Sequence, residues 1–211
     1  MLGIDEAGRG AVVGPLVIAG VLISKEDKLS EIRDSKELSP NKRKELFKLI
    51  TKEAEDYIYF IISSDMLNRE MKKYNLNEIE ISRIVQIINL FYSKNLRVYI
   101  DAMEANTEKL KQKILSKLKN KEITLIAENY ADKKYKVVGA ASIIAKVIRD
   151  REIEKLHKKY GFFGSGYPSD ERTIRFLKNA DREVINRIAR LEWITMKNIL
   201  NSRNNKKLSE Y

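Results

Sequence analysis

The chain has 211 residues, 43% hydrophobic and 34% charged, and its 41 basic and 30 acidic side chains give a net charge of +11. That apolar fraction belongs to a folded domain, while the absence of cysteine excludes disulfides, thiolate nucleophiles, zinc ribbons and iron–sulfur ligation, and the single histidine, His157, excludes a His-rich metal centre. Hydrophobic runs are too short to span a membrane and no signal peptide is visible at the start, so a cytoplasmic protein with no membrane partner is expected, its positive charge favouring a polyanion such as nucleic acid.

Met1 to Asp5 and the Val/Ile/Leu run Val12 to Ile23 read as strands, the second buried on both faces. The turn Glu6-Ala7-Gly8-Arg9-Gly10-Ala11 between them is short, which predicts an antiparallel opening pair and hence a mixed sheet. Ser39-Pro40 predicts a helix start, with Ser as N-cap and Pro in the first turn. Tyr57 to Ser63 reads as a strand, and Ile81, Ile84, Val85, Ile88, Phe91 and Tyr92 fall at helical spacing. Arg97 to Asp101 is a short strand ending in an acid, Thr107 to Leu118 a helix, Ile123 to Ala127 a strand, and Val138 to Lys159 a long helix with a small-residue start. Beyond the Gly-rich segment Gly161 to Pro168, three helical stretches are predicted over Ser169–Ala180, Asp181–Ala189 and Trp193–Ser202. The expected fold class is α/β, a mixed sheet flanked by helices, with one domain over 1–160 and a loop plus helical extension over 161–211.

The acids at strand ends carry the chemistry. Asp5 ends the first strand, Asp101 ends another, and Asp132 follows the strand Ile123–Ala127; in α/β sheets, function gathers at such ends. Carboxylates brought together there repel one another unless a cation neutralises them. An all-oxygen set selects hard ions, Mg²⁺ or Mn²⁺, and two such ions suit phosphodiester hydrolysis. Taken singly, each acid also has a structural reading: Asp5 and Glu6 as turn formers, Asp101 as a cap, Asp132 as a partner of Lys133 or Lys134. Asp5 and Glu6 share a site only if the strand ends or bends at Asp5, because successive side chains alternate faces. His157, within Lys155-Leu156-His157-Lys158-Lys159, reads as part of a solvated basic helix face.

Five motifs in order resemble ribonuclease HII, the type 2 ribonuclease H. They are Gly3-Ile4-Asp5-Glu6-Ala7-Gly8-Arg9-Gly10 with Gly14-Pro15-Leu16; Asp34-Ser35-Lys36-Glu37-Leu38-Ser39; Asp101 after its strand; Ala131-Asp132-Lys133-Lys134-Tyr135 with Val138 to Val147; and Gly164 to Asp170. They span residues 3 to 170, and the size suits the archaeal form. Gly139 departs mildly, standing where many relatives have Ser. The Gly-Arg-Gly turn separates the chain from ribonuclease HIII, which typically has Gly-Thr-Gly and an extra N-terminal domain. The resemblance implies a ribonuclease H-like fold and an endonuclease that cuts the RNA strand of RNA/DNA hybrids. It also implies cutting 5′ of single ribonucleotides in duplex DNA, giving 3′-hydroxyl and 5′-phosphate ends.

Carried onto these positions, Asp5, Glu6, Asp101 and Asp132 are the catalytic and metal-holding acids for two Mg²⁺ or Mn²⁺ ions, Asp5 bridging both. Gly8, Arg9 and Gly10 contact the ribose 2′-hydroxyl and neighbouring phosphates, Tyr167 stacks on the sugar at the RNA–DNA junction, and Lys36 steadies a phosphate. Ser142 and Lys146, one helical turn apart, are further substrate-binding candidates. A hybrid-binding module without activity has no use for clustered acids facing phosphate, and a DNA-only nuclease of this fold group has none for a 2′-hydroxyl sensor. A monomer is expected. The tail carries no Gln-x-x-aliphatic-x-x-aromatic peptide, so a sliding-clamp partner is left open.

Overall fold

A computed structural model describes residues 1–24, 29 and 39–208, with side chains described as far as residue 203. The second motif, with Lys36, lies outside the described residues except for Ser39. The elements are β1 (Leu2–Ala7), β2 (Leu16–Leu22), α1 (Pro40–Glu53), β3 (Asp56–Ile62), α2 (Ser64–Glu70), α3 (Leu76–Leu90), β4 (Leu96–Asp101), α4 (Thr107–Lys117), β5 (Ile123–Glu128), α5 (Ala131–Lys134), α6 (Lys136–Tyr160), α7 (Glu171–Asn179), α8 (Arg182–Ile188) and α9 (Ile194–Leu208). The five-stranded sheet runs β3-β2-β1-β4-β5. β1 is antiparallel to β2 and parallel to β4, and β4 is parallel to β5, the mixed sheet expected from the short opening turn.

Two compact units divide the chain. The first is Met1–Ala7, Val17–Phe60 and Asn75–Ile148; the second is Gly8–Leu16, Ile61–Tyr74 and Arg149–Tyr211. The first packs Val17, Ala19 and Val21 of β2, Leu46 and Ile50 of α1, and Val138, Ala141, Ile144 and Ile148 of α6 into one core. Gly3 lets the start of α6 lie directly against β1: a Cβ there would fall on the Val137 carbonyl. The second unit has its own core of Val12, Val13, Ile153, Phe163, Leu177, Ile185, Ile188 and Met196.

Two boundaries differ from the sequence expectation. β1 continues through Glu6 to Ala7, and β2 begins at Leu16, not Val12. The run Val12–Ile23 is uniformly apolar, yet its first residues serve the second unit. The Val12 and Val13 amides both donate to the Gly166 carbonyl, at 2.8 and 3.0 Å, and Gly14 turns the chain with φ +84°. Two short helices were also unforeseen. α2 is capped by the Ser63 side chain, and α5 follows Tyr130, a non-glycine residue at φ 60° that swings the chain out of β5.

Candidate active site

The parallel ladder between β1 and β4 ends on the pair Ile4–Ile100. One residue further on, Asp5 and Asp101 stand at the same level on adjacent strands. Asp5 is only 5% exposed. Burial, and secondarily the charge of Asp101, pushes its carboxyl up to about 7, against hydrogen bonds from Ser142 and the Glu6 amide and the positive charge of Lys146. The Glu6 amide lies 2.6 Å from Asp5 Oδ1. Ser142, read from sequence as a substrate contact, is fully buried and donates to Asp5; its position one turn before Lys146 on α6 aims both at that carboxylate.

Asp101 accepts the Ala131 amide at 2.8 Å. It therefore does cap a helix start, but that of α5, thirty residues on. The next residue, Asp132, is 4% exposed, and its Oδ1 is buried with no hydrogen-bond partner. It does not take up Lys134, which pairs instead with Glu128 at 2.6 Å. A cleft of about 440 Å³ opens beside Asp101, lined by Glu104, Asn129 and Tyr130 among others.

Glu6 is placed differently. Because β1 runs on to Ala7 with Glu6 paired to Ile18, the pleat puts Glu6 on the face opposite Asp5, and the condition for a shared site at a strand end is not met by the strand itself. Among the described residues no three His, Cys, Asp or Glu side chains converge as a ready-made metal-binding group. What is assembled is a buried Asp5 facing a half-buried Asp101, with Asp132 following the residue bonded to Asp101.

The second unit holds Gly8, Arg9, Gly10 and Tyr167. Gly8 has φ +87°, and a Cβ there would strike the Arg149 side chain and the Pro15 carbonyl. Gly10 is exposed and a Cβ on it would meet nothing within 4 Å. Two arginines that the sequence did not single out fix this turn. Arg190 is fully buried; its Nε donates to the Gly14 carbonyl and its Nη1 to the Arg9 carbonyl, both at 3.0 Å, with its guanidinium 4.8 Å from the Trp193 ring centroid. Arg149, 5% exposed, donates from Nη2 to the Ser165 carbonyl at 3.2 Å and lies 4.6 Å from the Tyr167 ring centroid.

The loop carrying Tyr167 is held from several sides. Thr173 Oγ1 donates to the Phe163 carbonyl and accepts from the Gly166 amide. Asp170 accepts the Ser165 amide at 2.8 Å, and the Arg172 guanidinium beside it holds its carboxyl well below the usual carboxylate range. His157 is not on a solvated face: it is half-buried, its Nε2 lies 2.9 Å from the Gly164 carbonyl, and its ring packs on Phe162 and Phe163. No spacing signal marks Arg149, Arg190 or His157, whose sequence neighbours are as charged as those of any surface helix.

Residues 2–196 match the family model for Ribonuclease HII. The chain belongs to the ribonuclease HII family. It is 44% identical over 208 residues to the Ribonuclease HII of Methanococcus maripaludis, covering 95% of this chain and 87% of that one. Its fold is similar to the ribonuclease H2 of Pyrococcus horikoshii, with a TM-score of 0.84 at 39% identity and coverage of 95% of this chain and 97% of that one. It is equally similar to the RNase HII in a PCNA:RNase HII complex from Archaeoglobus fulgidus, with a TM-score of 0.83 at 40% identity, covering 94% and 95%. As a family member the chain is a ribonuclease H, a divalent-metal endonuclease that cleaves the RNA strand of RNA/DNA hybrids and incises DNA at embedded ribonucleotides. Among the described residues no helix is long and apolar enough to cross a membrane.

Proposed function

We propose that Asp5, Asp101, Asp132 and Glu6 are the acids that hold two divalent ions, Mg²⁺ or Mn²⁺, and that cutting 5′ of the ribonucleotide leaves 3′-hydroxyl and 5′-phosphate ends. The observation that carries this reading is the buried Asp5 carboxyl beside the half-buried Asp101, whose repulsion adds to the desolvation of Asp5 and calls for a countercharge. The orphaned Asp132 oxygen supports it. The donors are all oxygen, which suits a hard ion; Glu6 joins the set by resemblance alone. When bound, such ions supply an activated water and a countercharge for the departing oxygen. Ser142 and the Glu6 amide hold the Asp5 carboxylate in one orientation, the Ala131 amide does the same for Asp101, and Lys146 offsets part of the negative charge.

The turn Gly8-Arg9-Gly10 reads the ribose 2′-hydroxyl and adjacent phosphates, Tyr167 packs on the junction sugar, and Lys36 steadies a phosphate. Gly10 supports this, because nothing inside the fold requires a glycine there, whereas close approach of a ligand to backbone does. Residues 1–160 thus carry the chemistry and 161–211 the sensing loop with its supporting helices. The working unit is a single chain in the cytoplasm.

The direct test is cleavage of labelled duplex DNA carrying one ribonucleotide. No product is expected in chelator and product returns with Mg²⁺ or Mn²⁺; full activity in chelator overturns the metal assignment. Binding to hybrid in chelator should weaken steeply between about 50 and 200 mM salt, as phosphate contacts release counterions. A flat salt dependence would mean that the +11 charge is merely solvated.

A further inference from the structure

Arg149 is a guanidinium 5% exposed, and its Nε is buried without a hydrogen-bond partner. Burial lowers its affinity for a proton, against the favourable influence of Tyr167 and Asp150. Taking a guanidinium out of water and leaving one donor unpaired opposes folding, so a position that retains one marks a place where geometry matters more than stability.

Its surroundings show which geometry. The side chain occupies the space that a Cβ on Gly8 would need, and its Nη2 lies 3.3 Å from where a Cβ on Gly166 would stand. The same guanidinium stacks against the Tyr167 ring and bonds the Ser165 carbonyl. One planar group therefore touches the first glycine of the Gly-Arg-Gly turn and both neighbours of Gly166, all within the second unit. The glycines around Tyr167 suggest from sequence a ring free to swing into place, but the ring is already seated. A tyrosine has two side-chain torsions, and stacking on a fixed cation removes much of that freedom before any ligand arrives.

We propose that Arg149 is a positioning residue for ribonucleotide selection: without touching the substrate, it presets the Tyr167 ring and backs the Gly8 turn. This rests on the sensing role proposed above for Tyr167 and the glycine turn. Lysine at this position keeps the charge but loses the planar face, and methionine keeps the bulk but loses both.

The test is a double-mutant cycle with Arg149→Met, Arg149→Lys and Tyr167→Ala. The readout is the ratio of kcat/KM on a single-ribonucleotide duplex to kcat/KM on a long RNA/DNA hybrid, with melting curves for every variant. Arg149→Met should lower that ratio about tenfold, the scale of one partly desolvated cation–aromatic contact, and Arg149→Lys should recover little of it. In the Tyr167→Ala background Arg149→Met should change the ratio no further. An unchanged ratio in Arg149→Met, or a full additional loss on top of Tyr167→Ala, overturns the positioning role. An unchanged ratio in Tyr167→Ala overturns the sensing reading itself, and the proposal with it. Should Arg149→Met fail to fold, Arg149→Lys, alone and in the Tyr167→Ala background, makes the same comparison.

Discussion

Asp5→Asn should lower cleavage at a single ribonucleotide by about a thousandfold or more, the equivalent of roughly 4 kcal/mol of lost transition-state stabilisation, while raising the melting temperature of the metal-free protein. The side chain keeps its shape and loses the charge that the site is built to use. The stability half follows from linkage. In the folded chain the Asp5 carboxyl is pushed up to about 7, whereas in the unfolded chain it titrates near 3.9. Between those values the folded state holds the proton and the unfolded state does not, so stability is greatest below about pH 4 and declines as pH rises towards 7. Asparagine has no such decline. Its advantage should be small at pH 4 and largest above pH 7. Melting curves in chelator across that pH range, beside cleavage assays in metal, check both halves. A variant that cleaves like the wild type would show that this carboxylate is not catalytic, and one that melts earlier than the wild type at pH 8 would show that it is not strained.

Arg190→Ala should be the most destabilising single change in the second unit, costing about 4 kcal/mol. Two charge-assisted hydrogen bonds to carbonyls are lost with it, at about 1.5–3 kcal/mol each, and the contact with Trp193 goes too. Such a loss is a large share of the stability of an ordinary domain. Arg190→Lys should recover only part, because one ammonium cannot reproduce the guanidinium fork that reaches both Arg9 and Gly14. Denaturant unfolding measures the difference, and a change below about 1 kcal/mol would show that the carbonyls find other partners.

Those two residues mark the line between what the sequence discloses and what it does not. Asp5 and Asp101 are legible because an acid on a short apolar strand is locally odd, although β1 runs on past Asp5 to Ala7, and the β1–β2 turn is legible because its shortness forbids a crossover. Apart from the short helices α2 and α5, the alternation of strands and helices up to α6 follows from the spacing of apolar residues. Arg190 and Arg149 are not legible: Ile188-Ala189-Arg190-Leu191-Glu192 and Ile148-Arg149-Asp150-Arg151-Glu152 look like any half-exposed helix edge, and only contacts far along the chain bury them. The start of β2 is hidden for the same reason, since Val12 and Val13 pair with Gly166, which no local pattern announces. The spacing of Ser142 and Lys146 reveals a shared helix face but not that Ser142 meets the Asp5 carboxylate.

The Arg9 carbonyl meets its buried partner 181 residues later in the chain. While the protein is being made, all four proposed catalytic acids have left the ribosome well before that partner does. The turn proposed to read the ribose cannot close until nearly the whole chain is available, since so distant a contact can form only after its loop is complete. On that proposal, a nascent or prematurely terminated chain carries the acids without the locked turn, so the means of cutting is synthesised before the means of choosing where to cut.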